Sequence, residues 1–131
     1  MTNTNFGLTH LALAVSDLDR SSYFYSTALG MREYYRDHDT VMMTGTGPHD
    51  IIGLELAPEQ AGKQGGIRHF GFRLTSPDKR DELSERLISA GGTLIERGLF
   101  DDGSPFARVN DPDGYMIEIW FESTEAHAPN S

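Results

Sequence analysis

Hydrophobic and polar positions along the chain predict short strands and helices. Residues 8–15, LTHLALAV, alternate as a half-buried strand does, and the segment that follows carries helix signals at both ends. Asp17 or Asp19 can cap its first turn, and Gly30 suits a left-handed position after its last turn. Turn residues then separate three more predicted strands, at 31–35, 40–45 and 51–57. The first half therefore predicts one strand, one helix and three strands.

The same order of elements recurs in the second half. A loop rich in glycine, AGKQGG at 61–66, precedes IRHFGFRL at 67–74, whose alternation predicts another strand. The helix predicted next has Pro77 near its start and Gly91 at its end. DPDG at 111–114 is predicted to be a turn. Three further strands complete this half, at 93–97, 105–110 and 115–121.

This internal repeat predicts an α+β fold made of two βαβββ modules that pack about a pseudo-twofold axis. The modules run over roughly 6–57 and 66–122. A chain of 131 residues can close one core and is too short for two independent ones, so a single domain over 1–131 is predicted.

Four titratable side chains stand at matched places in the two modules. His10 and His69 each lie beside small residues on their face of a predicted strand, which leaves room beside the imidazoles. Glu118 and Glu55 point from apolar strands, with no other charge expected alongside, and an unpaired buried carboxylate is costly. Because one divalent cation would satisfy all four groups, the sequence predicts a metal site formed by these residues.

Each of these side chains also has a purely structural alternative. A histidine in an apolar strand can be a hydrogen-bonded core residue, and Glu118 can face solvent from an edge strand. Glu55 can pair with a nearby arginine such as Arg73. His49 follows a proline before a strand, so it is either an exposed loop residue or an acid or base that overhangs the site.

Composition narrows the chemistry and the partners. The sequence has no cysteine, so a metal must be held by histidine and carboxylate side chains. A net charge of −9 without a basic cluster argues against nucleic acid and anionic membranes as partners. No stretch resembles a signal peptide or a spanning helix of about 20 apolar residues, so a cytoplasmic location is predicted.

Three segments resemble the vicinal oxygen chelate superfamily of glyoxalase I (lactoylglutathione lyase), extradiol dioxygenases, and fosfomycin and bleomycin resistance proteins. They are THLALAVSDLDRSSYFYSTALGMRE at 9–33, GGIRHFGFRL at 65–74 and DPDGYMIEIWF at 111–121. The resemblance implies an incomplete barrel around one divalent ion, which a small substrate chelates through adjacent oxygens. It also implies His10, His69 and Glu118 as ligands. It further implies a homodimer, with the metal site either within one chain or shared between two.

The metal and the reaction are less closely defined by the resemblance. Zinc, nickel, cobalt, manganese and ferrous iron are all possible. Glu55 in GLELA stands where glyoxalase I has its acidic ligand, which favours a lyase or isomerase reaction of glyoxalase or epimerase type. Glu118 or Glu55 would then remove a proton from the carbon next to a chelated oxygen. Arg73, Met116 and Trp120 are candidates for the substrate pocket.

Two alternatives remain within the resemblance. An extradiol dioxygenase with non-haem Fe(II) needs only His10, His69 and Glu118, and His49 stands about where those enzymes carry an active-site histidine. Their second histidine and their tyrosine have no counterpart in GLFDDGSPFARV at 98–109. A drug-binding protein without catalysis comes third. The acidity of the chain suits a cationic drug, but such proteins generally lack the metal ligands.

Overall fold

The computed structural model of the protein describes residues 4–47 and 49–122, which form two modules of the same element order. The first contains β1 (His10–Val15), α1 (Leu18–Leu29), β2 (Arg32–Arg36), β3 (Thr40–Thr44) and β4 (Ile51–Leu56). The second contains β5 (Phe70–Arg73), a 3₁₀ turn (Pro77–Lys79), α2 (Arg80–Ser89), β6 (Thr93–Leu99), β7 (Pro105–Asn110) and β8 (Met116–Trp120). The predicted α+β fold is confirmed. In the described ranges, no helix has the length and apolar character needed to span a bilayer.

Each module forms its own four-stranded mixed sheet. The strand orders are β1-β4-β3-β2 and β5-β8-β7-β6, with the first pair of each sheet parallel and the others antiparallel. Among the described strands no pairing joins the two sheets, so the barrel is not closed. As a result, β1 and β5 are edge strands. The predicted ligand His10 is the first residue of β1, and the predicted ligand His69 comes directly before β5.

Local signals account for most element boundaries. The Asp17 side chain accepts a hydrogen bond from the Arg20 backbone N–H at 3.0 Å, and Gly30 ends α1 with a φ of 71°. In the second module the strand begins later than predicted, at Phe70. The Gln64 amide nitrogen donates to the backbone carbonyls of residues 67 and 68, at 2.8 and 3.0 Å. These carbonyls are therefore hydrogen-bonded within a loop and not to a neighbouring strand. His69 therefore lies just before the strand rather than within it.

One face of each sheet packs on a helix and forms the core. The buried face of the first sheet includes Val15 and Leu54, and that of the second includes Ile117 and Ile119; all four are fully buried. The opposite faces carry half-exposed and polar side chains. The predicted site residues, except His49 in a loop, lie on or next to these open faces.

The DPDG turn at 111–114, between β7 and β8 of the second module, forms hydrogen bonds to the first module. The Tyr25 hydroxyl of α1 donates to the buried Asp111 carboxylate at 2.7 Å, and Arg20 donates to Asp113 at 2.8 Å. The Tyr115 hydroxyl donates to a backbone carbonyl of β1 at 2.8 Å. Burial raises the pKa of Asp111, and burial beside Asp111 raises the pKa of Tyr25. The segment that sequence predicted to be a turn thus also holds the second module against the first.

Candidate functional site

The open face of the second sheet brings two predicted site residues together. Gly71 is the register partner of Glu118, and His69 precedes Gly71 by two residues, so both side chains stand on one face. Nε2 of His69 lies 3.7 Å from Oε2 of Glu118, which is itself buried. An imidazole nitrogen and a carboxylate oxygen at this separation can hold one ion together or share a proton.

Glu118 also has a cationic partner that the sequence did not predict. Arg108 lies opposite it on β7, with Nε and Nη2 each 3.0 Å from Oε2, and also contacts Glu96 on β6. The expectation that no other charge lies alongside Glu118 is therefore wrong. In the described part of the chain these contacts all end on Oε2, which leaves Oε1 open to a further ligand.

His10 stands on the open face of the first sheet, at the start of β1. It is exposed, and its Nδ1 lies 2.7 Å from the Thr9 hydroxyl oxygen. When Nδ1–H donates to that hydroxyl, Nε2 keeps the lone pair that a metal requires.

The two sheets do not repeat the position of the glutamate. In the second sheet, Glu118 pairs with the residue two positions after His69. In the first sheet, the residue two positions after His10 pairs with Gly53. Above that glycine lies Met42, whose sulfur is 3.1 Å from the place that a Cβ would occupy. Where the second sheet offers a carboxylate, the first offers a glycine and a thioether.

Glu55 lies at the far end of the first sheet from His10. It pairs with Ala14, four residues beyond the level of His10, which is about 13 Å along the strand. Glu55 is exposed and, within the described residues, forms no ion pair with Arg73 or any other cation. The sequence could not show this separation, because strand register depends on loop geometry as well as on alternation.

His49 lies at the same end of the first sheet as His10. It is exposed in the loop between β3 and β4, two residues before Ile51, and Ile51 is the register partner of His10. Its neighbour Pro48 lies outside the described residues. His49 thus lies in a loop, as one of the two interpretations of the sequence expected, and this loop is close to the predicted ligand His10.

The predicted pocket residues lie on the open face of the second sheet. Arg73 pairs with Trp120, and Met116 shares the face of Glu118. Trp120 lines a cavity of about 600 Å³, together with Phe100 and Phe106, which the sequence analysis did not single out. The alternation of PFARVN puts Phe106 on the face of Arg108 and could have identified it. No pattern predicts that the β6–β7 turn folds back over this face.

A single chain does not gather the full predicted ligand set. Among residues 4–47 and 49–122, no three His, Cys, Asp or Glu side chains lie close enough together to hold one ion. One chain therefore presents the His69–Glu118 pair in one place and His10 in another.

Comparison with known proteins identifies the family of the chain. A sequence model described as the Glyoxalase/Bleomycin resistance protein/Dioxygenase superfamily matches residues 7–119. A lactoylglutathione lyase of Salmonella typhimurium is 32% identical over 121 residues, with 86% of this chain and 90% of that enzyme covered. A manganese-dependent 2,3-dihydroxybiphenyl 1,2-dioxygenase of Geobacillus genomosp. 3 is 27% identical over 122 residues, which cover 92% of this chain and only 38% of that enzyme.

A solved structure shows the same fold. It is a variant of the fosfomycin resistance protein FosX from Listeria monocytogenes, in complex with Mn(II) and 1S,2S-dihydroxypropylphosphonic acid. The TM-score is 0.78 at 18% identity, and the superposition covers 93% of this chain and 94% of the other. At this identity the likeness concerns the fold alone.

Proposed function

This chain belongs to the glyoxalase, bleomycin resistance protein and dioxygenase superfamily, and from that premise we propose that it is a metal-dependent enzyme acting on a small molecule bound through adjacent oxygens. His10, His69 and Glu118 are the proposed ligands. The observation that carries the proposal is the His69–Glu118 pair, 3.7 Å apart on an open sheet face with one carboxylate oxygen left over. The lyase and the dioxygenase named above support an enzymatic role.

The donor set fits a divalent ion. Two imidazole nitrogens and one carboxylate oxygen suit zinc, manganese, ferrous iron, cobalt or nickel, and three protein ligands leave positions for a substrate. Arg108 holds Glu118 through Oε2, which would fix the direction of Oε1 toward the ion. A bound ion would polarise the substrate oxygens as a Lewis acid.

The third ligand is proposed to come from a second copy of the chain. His10 begins one edge strand and His69 precedes the other, and the large apolar side chains near them, Phe6, Leu8 and Ile67, are 103%, 91% and 62% exposed. Exposed apolar side chains beside unpaired strand edges favour association. A homodimer in which one copy supplies His10 and the other supplies the His69–Glu118 pair would complete the site.

Proton transfer of the lactoylglutathione lyase kind is the first reaction to test. The alignment covers most of that relative, so the comparison concerns an enzyme of similar length. Such a reaction needs a base beside the carbon that loses its proton. Glu118 is engaged by Arg108, and Glu55 lies at the far end of its sheet. His49, at the same end as His10, is therefore the proposed acid or base.

Ring cleavage by a dioxygenase is the second candidate. The observation that favours it is the register of the first sheet, which separates Glu55 from His10 and leaves a set of two histidines and one carboxylate. That set is the facial triad of non-haem Fe(II) oxygenases.

Metal analysis followed by two assays tests these proposals. Protein purified without chelators is expected to contain close to one divalent ion per chain. It should then be assayed with methylglyoxal plus glutathione, and with catechols under air in the presence of Fe(II) or Mn(II). His69→Ala and Glu118→Gln are expected to lose the ion. His38→Ala, at an exposed turn histidine, is the matched control and should keep it.

The outcomes separate the candidates. Product from methylglyoxal supports the lyase, and oxygen uptake with catechol supports the dioxygenase. Wild-type metal content in both His69→Ala and Glu118→Gln would overturn the proposed site. A chain without metal and without turnover would instead support binding of a drug.

A further inference from the structure

The side chain of Gln64 lies between the start of β8 and the loop that leads into β5. Its carbonyl oxygen Oε1 accepts a hydrogen bond from the backbone N–H of Met116 at 2.7 Å. Its amide nitrogen Nε2 donates to the backbone carbonyls of Ile67 and Arg68, at 2.8 and 3.0 Å. One primary amide therefore satisfies three backbone groups that belong to two different segments.

The register of the second sheet shows which backbone hydrogen bond this amide replaces. Arg73 is the register partner of Trp120, and the N–H of Leu74 donates to the Trp120 carbonyl at 2.8 Å. Hydrogen bonds in a parallel ladder recur every two residues along each strand. Two such steps back from Trp120 reach Met116. In a longer ladder the Met116 N–H would donate directly to the carbonyl of Arg68.

The Gln64 amide interrupts this ladder. The Met116 N–H and the Arg68 carbonyl bond to opposite ends of the amide instead of to each other. Pairing of β5 with β8 accordingly begins only at Phe70. The inserted amide therefore keeps the two strands apart at the level of His69, the residue that a longer ladder would pair with Met116.

The loop that carries Gln64 is fixed on both sides of this residue. The Gln64 carbonyl accepts from the Ile67 N–H at 3.0 Å and closes a turn in which Gly65 has a φ of 59°. Earlier in the loop, a Cβ at Gly62 would lie 2.3 Å from the backbone carbonyl oxygen of Asp113, in the DPDG turn. The turn and this close approach hold the Gln64 backbone beside the start of β8.

The two proposed histidine ligands differ in their backbone support. His10 belongs to a paired strand, because it is the register partner of Ile51. His69 lies just outside the paired part of β5, in the segment whose carbonyls bond to Gln64. Its Nε2 nevertheless lies 3.7 Å from Oε2 of Glu118. The position of His69 thus depends on a side chain, whereas that of His10 depends on a strand ladder.

We infer that Gln64 is a positioning residue for His69. Its amide, inserted between β5 and β8, fixes where the His69 imidazole stands relative to the Glu118 carboxylate. Without the amide, residues 67–69 either pair with β8 or lose their hydrogen bonds, and His69 moves in both cases. The inserted amide is argued from the backbone alone, and its effect on metal affinity rests on the proposed function.

Nuclear magnetic resonance of isotope-labelled, chelator-treated protein tests the inserted amide. In wild type, a scalar coupling across the hydrogen bond is expected between the Met116 N–H and the side-chain carbonyl carbon of Gln64. A coupling to the Arg68 carbonyl instead would overturn the inference. This measurement needs no variant, so it decides the question even where a substitution of Gln64 folds poorly.

The variant Gln64→Met tests the positioning of His69 in the same metal-free protein. Methionine keeps the length of the glutamine side chain and lacks its amide. Nuclear Overhauser effects between the His69 ring protons and the Glu118 side-chain protons are expected in wild type and should be weakened in the variant. Gln60→Met, at an exposed glutamine of the same loop, is the matched control and should keep them. Wild-type intensities in Gln64→Met would contradict the positioning role.

Calorimetric titration with Mn(II) measures the consequence for the proposed metal site. Gln64→Met is expected to bind Mn(II) about tenfold more weakly, because a proposed ligand is displaced, and Gln60→Met should bind as wild type does. Tyr25→Phe loses a buried hydrogen bond between α1 and Asp111, so it controls for lost stability and should keep wild-type affinity. An equal loss of affinity in Tyr25→Phe would show that stability, and not positioning, is the cause.

The inference and the proposed function fail in different ways. Wild-type affinity for Mn(II) in Gln64→Met would contradict the inference and leave the proposed function standing. Wild-type protein that binds no metal would contradict the proposed function. The coupling of Met116 and the Overhauser effects of His69 would still decide whether Gln64 positions that histidine, because both are measured without metal.

Discussion

Arg108 and Glu118 face each other across β7 and β8, with the guanidinium Nε and Nη2 each 3.0 Å from one carboxylate oxygen. This pairing explains how a buried glutamate is tolerated on a strand of otherwise apolar residues, because the charge is balanced on the side away from the open oxygen. It also makes Arg108 a positioning residue for the proposed metal ligand.

Replacing Arg108 with methionine is expected to weaken Mn(II) binding by about 10- to 100-fold, the usual cost of losing a partner that orients a metal ligand. Methionine keeps most of the length of the arginine side chain but has no N–H donors, so the Glu118 carboxylate loses the hydrogen bonds that orient it. Isothermal titration calorimetry measures the affinity. Arg97→Met is the control, since the one ion pair of Arg97 within residues 4–47 and 49–122 is with Asp81, on the surface. Wild-type affinity in Arg108→Met would show that the guanidinium does not orient the ligand.

Glu55 and Glu118 are expected to respond differently to the same substitution. Glu118→Gln should abolish stoichiometric metal binding, because it removes the charge from the carboxylate beside His69. Glu55→Gln should change metal affinity by less than about threefold, since Glu55 pairs with Ala14 at the far end of the sheet from His10. Metal content of purified variants checks both. A large loss in Glu55→Gln would restore the four-ligand site that the sequence predicted.

The order of elements could be predicted because most element boundaries have a local signal in the sequence. Alternation of apolar residues and the turn residues between them identified the strands, and Gly30 with Asp17, one of the two candidate caps, identified the two ends of α1. β5 was predicted to begin too early, because a side chain from a preceding loop, Gln64, takes the carbonyls that a longer strand would use. A hydrogen bond from a loop side chain to the backbone leaves no periodic signal in the sequence.

The site was predicted only in part for a related reason. Sequence indicates which face of a strand a side chain occupies, so the common face of His69 and Glu118 was foreseeable. It does not indicate which residue lies opposite, so neither the Arg108 pairing nor the distance of Glu55 from His10 could be derived. Glu55 and Glu118 stand at similar positions in the two modules of the sequence, but their strand registers differ. Glu55 pairs with the residue four positions after His10, whereas Glu118 pairs with the residue two positions after His69.

The buried hydrogen bond from Tyr25 to Asp111 is expected to contribute to the stability of the fold. Tyr25→Phe is expected to lower the free energy of unfolding by about 1–3 kcal/mol, because the buried Asp111 carboxylate loses its hydroxyl donor. Tyr23→Phe, on the exposed side of the same helix, should change it by less than about 0.5 kcal/mol. Urea unfolding at neutral pH gives both values. Equal stability of the two variants would mean that the buried bond contributes nothing net.

Acid should selectively weaken the contact between α1 and β2. Hydrogen bonds from Arg36 and from the Ser22 hydroxyl lower the pKa of Glu33 from 4.5 to about 2. A carboxyl with a lowered pKa stabilises the fold above its ordinary value and loses that contribution as the pH falls toward its folded value. Glu33→Gln is therefore expected to be less stable than wild type at neutral pH.

Urea midpoints recorded from about pH 6 to about pH 3 should show this difference shrinking below pH 4.5. Glu59→Gln, at an exposed acid, is the control and should follow wild type at every pH. A gap between Glu33→Gln and wild type that does not depend on pH would contradict the lowered pKa of Glu33.

Mixing two inactive variants tests whether the metal site is shared between copies. His10→Ala keeps the His69–Glu118 pair, and Glu118→Gln keeps His10. If each metal site takes His10 from one copy and the pair from the other, a mixed dimer has one site with all three ligands intact. Its other site lacks both His10 and Glu118. Random exchange of subunits makes about half of the dimers mixed, so metal content and activity should return to about one quarter of wild type. The same exchange between His69→Ala and Glu118→Gln should restore nothing, because both substitutions damage the same half of the site. No recovery in the first mixture, with mixed dimers demonstrated by native mass spectrometry, would place all three ligands within one chain.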